Sequence, residues 1–139
     1  MLVDGVPIAA FKLGHLLEYG AQSVGTDMPK AWLWYQKGAD AGEPYALARF
    51  AEREENNALA QADPPQRNSQ LLKAFTLYAA AAERAHEEDW PVDAWKHWRH
   101  RRASLARLLA QQGMMQQVAV AYGAILDKGG TRAATVGAN

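Results

Sequence analysis

Small residues set beside bulky aromatic ones at helical spacing constrain this chain more than any other feature. In Ala31-Trp32-Leu33-Trp34-Tyr35-Gln36-Lys37-Gly38-Ala39-Asp40-Ala41-Gly42, the residues Ala31, Gly38, Ala39 and Gly42 leave room for a neighbouring backbone, while Trp34 and Tyr35 supply bulk. Upstream, Ala10, Leu13 and Leu17 recur at helical spacing and Gly14 opens a second close approach. Two such segments in succession predict a tightly packed helical hairpin, and the rest of the chain reads as partial copies of it. Ala dominates the apolar residues while Val, Ile and Phe are scarce, which favours helix over strand. A length of 139 residues suits one domain, so the expectation is an all-α fold of about six helices.

A short lead-in (1–7) ends at Val6-Pro7, and Pro7 suits the first turn of a helix from Ile8 to Tyr19 that Gly20 stops. After a loop from Ala21 to Thr26, Asp27 is placed to cap a second helix, with Pro29 in its first turn and Gly42 at its end. Glu43-Pro44 opens a third helix, Tyr45 to about Asn57. There the second copy begins: Ala46, Phe50 and Ala51 take the places of Ala9, Leu13 and Gly14, and the run 72–82 echoes the stretch around Lys30 to Ala39. Asn56-Asn57 and Asp63-Pro64-Pro65 predict a long hairpin loop from Asn56 to Ser69, with Ser69 as a helix cap. Asp89 and Pro91 mark the start of a helix reaching about Gln112, with Asp89 as its cap. Gly113 interrupts, and Met114 to Leu126 forms the last helix, with Val118, Ala121, Tyr122 and Ile125 on one side. Residues 128–139 are largely Gly, Thr and Ala and are expected to form a flexible tail.

These residues resemble the Sel-one-like repeat (Sel-like repeat) family, a subclass of the tetratricopeptide-repeat superfamily whose unit is an Ala-rich helix pair of about 36 to 44 residues. The first unit carries the resemblance in Ala9, Leu13, Gly14, Gly20, Asp27, Lys30-Ala31, Trp34-Tyr35, Lys37, Ala39 and Gly42, and departs from it at Leu17, where the family has an aromatic. The second keeps Ala46, Lys73-Ala74, Tyr78 and Ala82, with Ala51 and Ala85 where Gly is usual, and the third retains Ala103, Leu105 and Tyr122. The resemblance implies an α/α right-handed superhelix of tetratricopeptide-like helix pairs, with units at about 8–43, 44–86 and 91–127, the last degenerate. Trp34, Tyr35, Leu77 and Tyr78 are then expected to fill the space between pairs. It further implies a concave groove, lined by the first helix of each pair, that takes a protein or peptide ligand. Projection places Phe11, His15, Glu18 and Tyr19 in that groove from the first unit, Tyr45, Glu52, Glu55 and Asn56 from the second, and Arg102 from the third.

Chemistry of other kinds finds little support. No cysteine is present, which removes disulfides, thiolate nucleophiles and Cys-ligated metals. Ser23, Ser69 and Ser104 lie in no nucleophile motif, and Glu52, Glu54 and Glu55 read as a solvated charge run, so no enzymatic activity, catalytic residue or cofactor is expected. Asp93, His97 and His100 sit one helical turn apart in succession, a weak metal-site pattern without a fourth ligand, and no metal site is expected. Trp95-Lys96-His97-Trp98-Arg99-His100-Arg101-Arg102 mixes basic and aromatic groups, and no acidic residue occurs from Ala94 to Leu126. Helical spacing turns its Trp residues to the core, and its arginines are expected to face solvent or to pair with Glu87, Glu88, Asp89 or Asp93. With Lys plus Arg at 15 and Asp plus Glu at 15, nucleic acid is not the expected partner.

No apolar run approaches the roughly 20 residues that span a bilayer, and no targeting signal is visible, so a soluble, cytoplasmic protein is expected, a periplasmic one requiring a leader removed beforehand. The function expected is that of a small bacterial-type adaptor or scaffold mediating protein–protein interaction. The alternative is an immunity or inhibitor protein that blocks one toxin or secreted enzyme, and a metal-binding or enzymatic role for the Asp93, His97 and His100 helix ranks below both. Val118, Val120 and Ile125 give the last helix an apolar side that a second copy could cover as a homodimer.

Overall fold

The computed structural model describes the backbone of residues 6–20 and 25–138 and the side chains of residues 7–20 and 25–127. Among the described residues the chain is all-helical: α1 (Val6–Tyr19), α2 (Met28–Asp40), α3 (Pro44–Ala60), α4 (Pro64–Glu87), α5 (Val92–Gln111) and α6 (Met115–Ala138). Residues 1–5 of the expected lead-in, and the side chains of the expected tail (128–139), lie outside that description, although the backbone of α6 continues past Leu126 to Ala138.

Local chemistry accounts for the first boundaries. The Asp27 carboxylate accepts the Lys30 amide at 3.1 Å, satisfying a free donor at the start of α2, and Pro29 sits where no amide partner is needed. At the other end Gly42 adopts φ +81, a left-handed conformation that lets the Glu43 amide reach back to the Gly38 carbonyl at 2.9 Å. Glu43 then caps α3 with both oxygens, accepting from the amides of Tyr45 (3.1 Å) and Ala46 (2.6 Å).

Three expectations need correction. The long loop from Asn56 to Ser69 is absent; α3 runs on to Ala60, α4 starts at Pro64, and a tight turn joins them. The pair Pro64-Pro65 opens α4 rather than holding a loop apart, because the first turn of a helix has no use for the missing amides, and Asp63 caps it through the Gln66 amide at 3.2 Å. Ser69 is therefore inside a helix. Asp89 does not cap α5: it takes φ +57 in the turn after α4, with the Trp90 amide bonded back to the Ala85 carbonyl at 2.9 Å, so it ends one helix instead of beginning the next.

The helices pack as successive pairs, α1 on α2 and α3 on α4, with α2 against α3 and α4 against α5. Continuity breaks at the last pair, where α6 lies mainly on α4 and only lightly on α5. The centre of the core is α4, which buries Leu71, Ala74, Phe75, Tyr78, Ala79, Ala81, Ala82 and Ala85. Its alanines let α3, α5 and α6 close on it, and Trp95, Trp98, Leu105, Leu109 and Val118 fill the rest. In the first pair Gly14 is the point of closest approach: a Cβ there would stand 2.6 Å from two ring carbons of Tyr35.

Trp34 is not the space-filling residue its position suggests. The buried stripe of α2 is Ala31, Tyr35 and Gly38, and α3 packs on the flank that carries Trp32. Trp32 meets Tyr35 edge-on at 5.3 Å and Phe50 at 5.0 Å, with the Arg53 guanidinium 4.7 Å above its ring. Trp34 is left half-buried on the outer flank, under the Lys37 ammonium at 4.3 Å. Tyr35 and Tyr78 are fully buried, as the sequence reading has them.

Candidate functional site

The residues projected onto a groove divide into two sets. Glu18 and Glu55 are turned inward and fully engaged. The Tyr35 hydroxyl donates to Glu18 at 2.6 Å, and Arg49 from α3 donates to the same carboxylate, through Nε at 2.9 Å and also through Nη2. A like arrangement occurs in the next helix pair: the Tyr78 hydroxyl donates to Glu55 at 3.1 Å and Arg101 from α5 pairs with Glu55. Each clasp ties a tyrosine of the second helix of a pair, a glutamate of the first helix and an arginine of the next helix along, α3 or α5, into one knot. The side chains of Glu18 and Glu55 are only 7% and 14% exposed, so neither carboxylate is free for a partner.

Electrostatics follows from that burial. The Arg49 hydrogen bond holds the Glu18 carboxyl below its ordinary range, outweighing the desolvation that pushes the other way. Burial, reinforced by Glu18, pushes the Tyr35 hydroxyl well above its ordinary value, and burial raises Tyr78 to about 12. Both tyrosines are therefore neutral donors throughout the physiological range.

Arg102, the third-unit residue, is also used internally. It donates to Glu83 of α4 at 3.2 Å, and the Tyr122 hydroxyl of α6 donates to the same oxygen at 3.0 Å. Arg101 and Arg102 thus pair with Glu55 and Glu83 and not with the acidic group from Glu87 to Asp93 that sequence proximity favoured, while Arg84 pairs with Glu88. The reason is tertiary: the side of α5 bearing these arginines faces α3 and α4.

The second set forms a continuous aromatic strip. Tyr19 lies 4.6 Å from His15, His15 lies 6.0 Å from Phe11, and Phe11 stacks on Tyr45 at 5.2 Å with an interplanar angle of 23°. Tyr45 in turn touches Trp90 at 5.3 Å and the buried Trp98 at 5.4 Å. The strip crosses from α1 over α3 to α5, with Tyr19 63% and Tyr45 36% exposed. Asn56 is exposed beyond it, and Glu52 is half-buried there, paired with Arg49 at 3.4 Å.

Beside the strip opens a cleft of about 1080 Å³ between the start of α1 and the α2–α3 and α4–α5 turns. Phe11, Tyr45 and Trp90 form its apolar wall, and Lys12, Glu43, Arg84 and Glu88 its polar groups. Sequence reading found Phe11 and Tyr45 but missed Trp90 and Lys12, since only the return of the chain after α4 brings Trp90 across to Tyr45. The Glu43 carboxyl at the base of the cleft is raised above its ordinary value by burial, against the pull of the two amides it caps.

The helix carrying Asp93, His97 and His100 shows no converging ligand set; Asp93 pairs with Lys96 at 3.6 Å, and no group of three or more His, Cys, Asp or Glu able to hold a metal occurs among the described residues. On α6, Val118 is buried, Ile125 half-buried and Val120 exposed, so only part of the expected apolar side is open. No helix among the described residues is long and apolar enough to cross a membrane. No family model matches the chain, and no curated protein or solved structure is significantly similar to it.

Proposed function

We propose that this chain is a non-catalytic helical-repeat protein of Sel-like type that grips a segment of another polypeptide along the aromatic strip and its cleft. The observation carrying the proposal is the unbroken ladder from Tyr19 through His15, Phe11 and Tyr45 to Trp90, which runs from α1 across α3 to the α4–α5 turn and leaves Tyr19, His15 and Tyr45 exposed. Aromatic side chains supply large contact area at small entropic cost, which is why they dominate recognition surfaces. The repeat reading draws its support from the two equivalent clasps, Tyr35 with Glu18 and Arg49, then Tyr78 with Glu55 and Arg101.

The groove residues are accordingly narrowed. Phe11, His15, Tyr19 and Tyr45, joined by Trp90 and Lys12, carry the binding, with Glu52 and Asn56 at the margin; Glu18, Glu55 and Arg102 hold the scaffold. Selection of peptide ligands from a displayed random library tests this. Selected peptides should bind the wild type and lose at least about tenfold in affinity to Tyr19→Ala, an exposed position whose change leaves the helical circular dichroism intact. Selected peptides that bind Tyr19→Ala and Lys12→Glu as well as the wild type would remove the strip from the function.

A further inference from the structure

The last helix is tied to an element it does not directly follow. Its contacts lie on α4: the Tyr122 hydroxyl donates to Glu83 at 3.0 Å, the Tyr122 ring meets Phe75 edge-on at 6.0 Å, and Val118 is buried in the core. With α5, its neighbour in the chain, α6 makes only light contact. The link between them is Gln112-Gly113-Met114, turned by Gly113 at φ +78, where a methyl would meet open space. Two of the bonds closing that turn run from the Gly113 amide to the Ala110 carbonyl at 3.0 Å and from the Met114 amide to the Leu109 carbonyl at 2.9 Å. Straightening the turn into helix replaces them one for one, since each amide then finds the carbonyl four residues back. Apart from Gly113, residues 109–117 are Leu, Ala, Gln and Met, all good helix formers.

A straightened turn carries α6 off its own α4 without changing what α6 recognises. The surface it vacates is complementary to one thing above all, the α6 of a second copy, which brings back the same Tyr122 and Val118 contacts. Two exposed apolar side chains mark where such copies cross. Leu108 is 39% and Met115 57% exposed, one on each side of the turn. In a continuous helix they stand seven residues apart and share one stripe. A two-fold axis between antiparallel copies sets each Leu108 on the Met115 of the other, and residues 109–114 between them carry no charge. We infer that this chain forms a homodimer by exchanging α6. In it α5 and α6 join through residue 113 into one helix, and each α6 packs on the α4 of the other copy. The aromatic strip lies on α1, α3 and the α4–α5 turn, outside the exchange, so the dimer presents two strips.

Size-exclusion chromatography with light scattering on the full chain separates one copy, at 15.3 kDa, from two. The wild type should show a dimer fraction that grows with concentration and, once separated, reverts slowly, because α6 must leave α4 first. Gly113→Ala penalises the left-handed turn and favours continuous helix by about tenfold at each of two hinges, so the dimerisation constant should rise about hundredfold. Inserting Gly-Ser-Gly-Ser after Gly113 gives α6 a slack tether to its own α4 and should leave the protein monomeric. Met115→Glu puts a charge at the crossing and should weaken the dimer at least about tenfold, with the monomer's melting temperature unchanged. Tyr122→Phe should lower the melting temperature yet leave the ratio of monomer to dimer as it was, since both forms lose one bond per chain. A wild type that is monomeric at every soluble concentration overturns the inference. So does a Gly113→Ala chain that keeps its helical circular dichroism and gains no dimer, or a hinge-extended variant that dimerises as tightly as the wild type, the sign of a dimer built on another surface. Should Gly113→Ala not fold, the hinge-extended and Met115→Glu variants decide.

Discussion

Gly14 and Tyr35 are where a single atom decides packing. A methyl at position 14 would enter the Tyr35 ring, which is itself fully buried and tied to Glu18, so neither side can yield easily. Gly14→Ala should therefore destabilise the protein by about 1–3 kcal/mol in chemical denaturation, although alanine favours helix. Glu18 gives a pH test whose sign is opposite to that of Glu43. Arg49 lowers the Glu18 pKa in the folded state, so its contribution is present above the ordinary value of 4.5 and is lost as pH falls through the folded value. Burial raises that of Glu43, whose contribution is greatest at low pH and diminishes as pH rises from 4.5 through its folded value. Arg49→Gln should lower stability at pH 7 and flatten the acid limb of a stability-against-pH curve. An acid limb of unchanged steepness would show that another carboxylate controls it.

At the scale of the helix, boundaries are set by caps and turns that tolerate specific changes. Asp63→Ala removes the acceptor for the Gln66 amide and should cost about 1 kcal/mol, with Asp63→Asn largely retaining the cap. Asp89 occupies a left-handed conformation that glycine adopts without strain, and its side chain has no bonding partner among the described residues. Asp89→Gly should accordingly stabilise the protein by about 0.5–1 kcal/mol, read as a rise in melting temperature. α4 is the element that admits least change: Ala82→Leu would force side-chain volume into a fully buried contact and should cost at least about 1–3 kcal/mol.

Across the molecule, the clasps make each helix pair depend on the next. Glu55 receives both Tyr78 from its own pair and Arg101 from the following one, so Glu55→Gln loosens α4 and α5 together. The expected outcome is a loss of about 1–3 kcal/mol, and non-additive effects of Tyr78→Phe and Arg101→Gln in a double-mutant cycle. Additive effects would mean the two bonds act separately. The third pair lacks this device: its tyrosine, Tyr122, reaches back to Glu83 of α4, which is why α6 settles on α4 instead of closing a hairpin with α5.

Read alone, the sequence determined the all-helical class, the cap at Asp27, the opening of α3 at Glu43-Pro44, the stop at Gly42 and the burial of Tyr35 and Tyr78, because these depend on spacing, on backbone freedom and on groups a few residues apart. It misplaced the turn around Pro64 and the role of Asp89, since proline and aspartate suit either end of a helix and only the neighbouring elements choose between them. Which aromatic, Trp32 or Trp34, lies between helices depended on the flank that α3 covers. Whether Glu18, Glu55 and Arg102 face a partner or one another depended on contacts between residues 17 to 46 positions apart in the chain. A helical projection shows that a charge lies on a face, and only the packed neighbours settle whether that face meets solvent or an opposite charge.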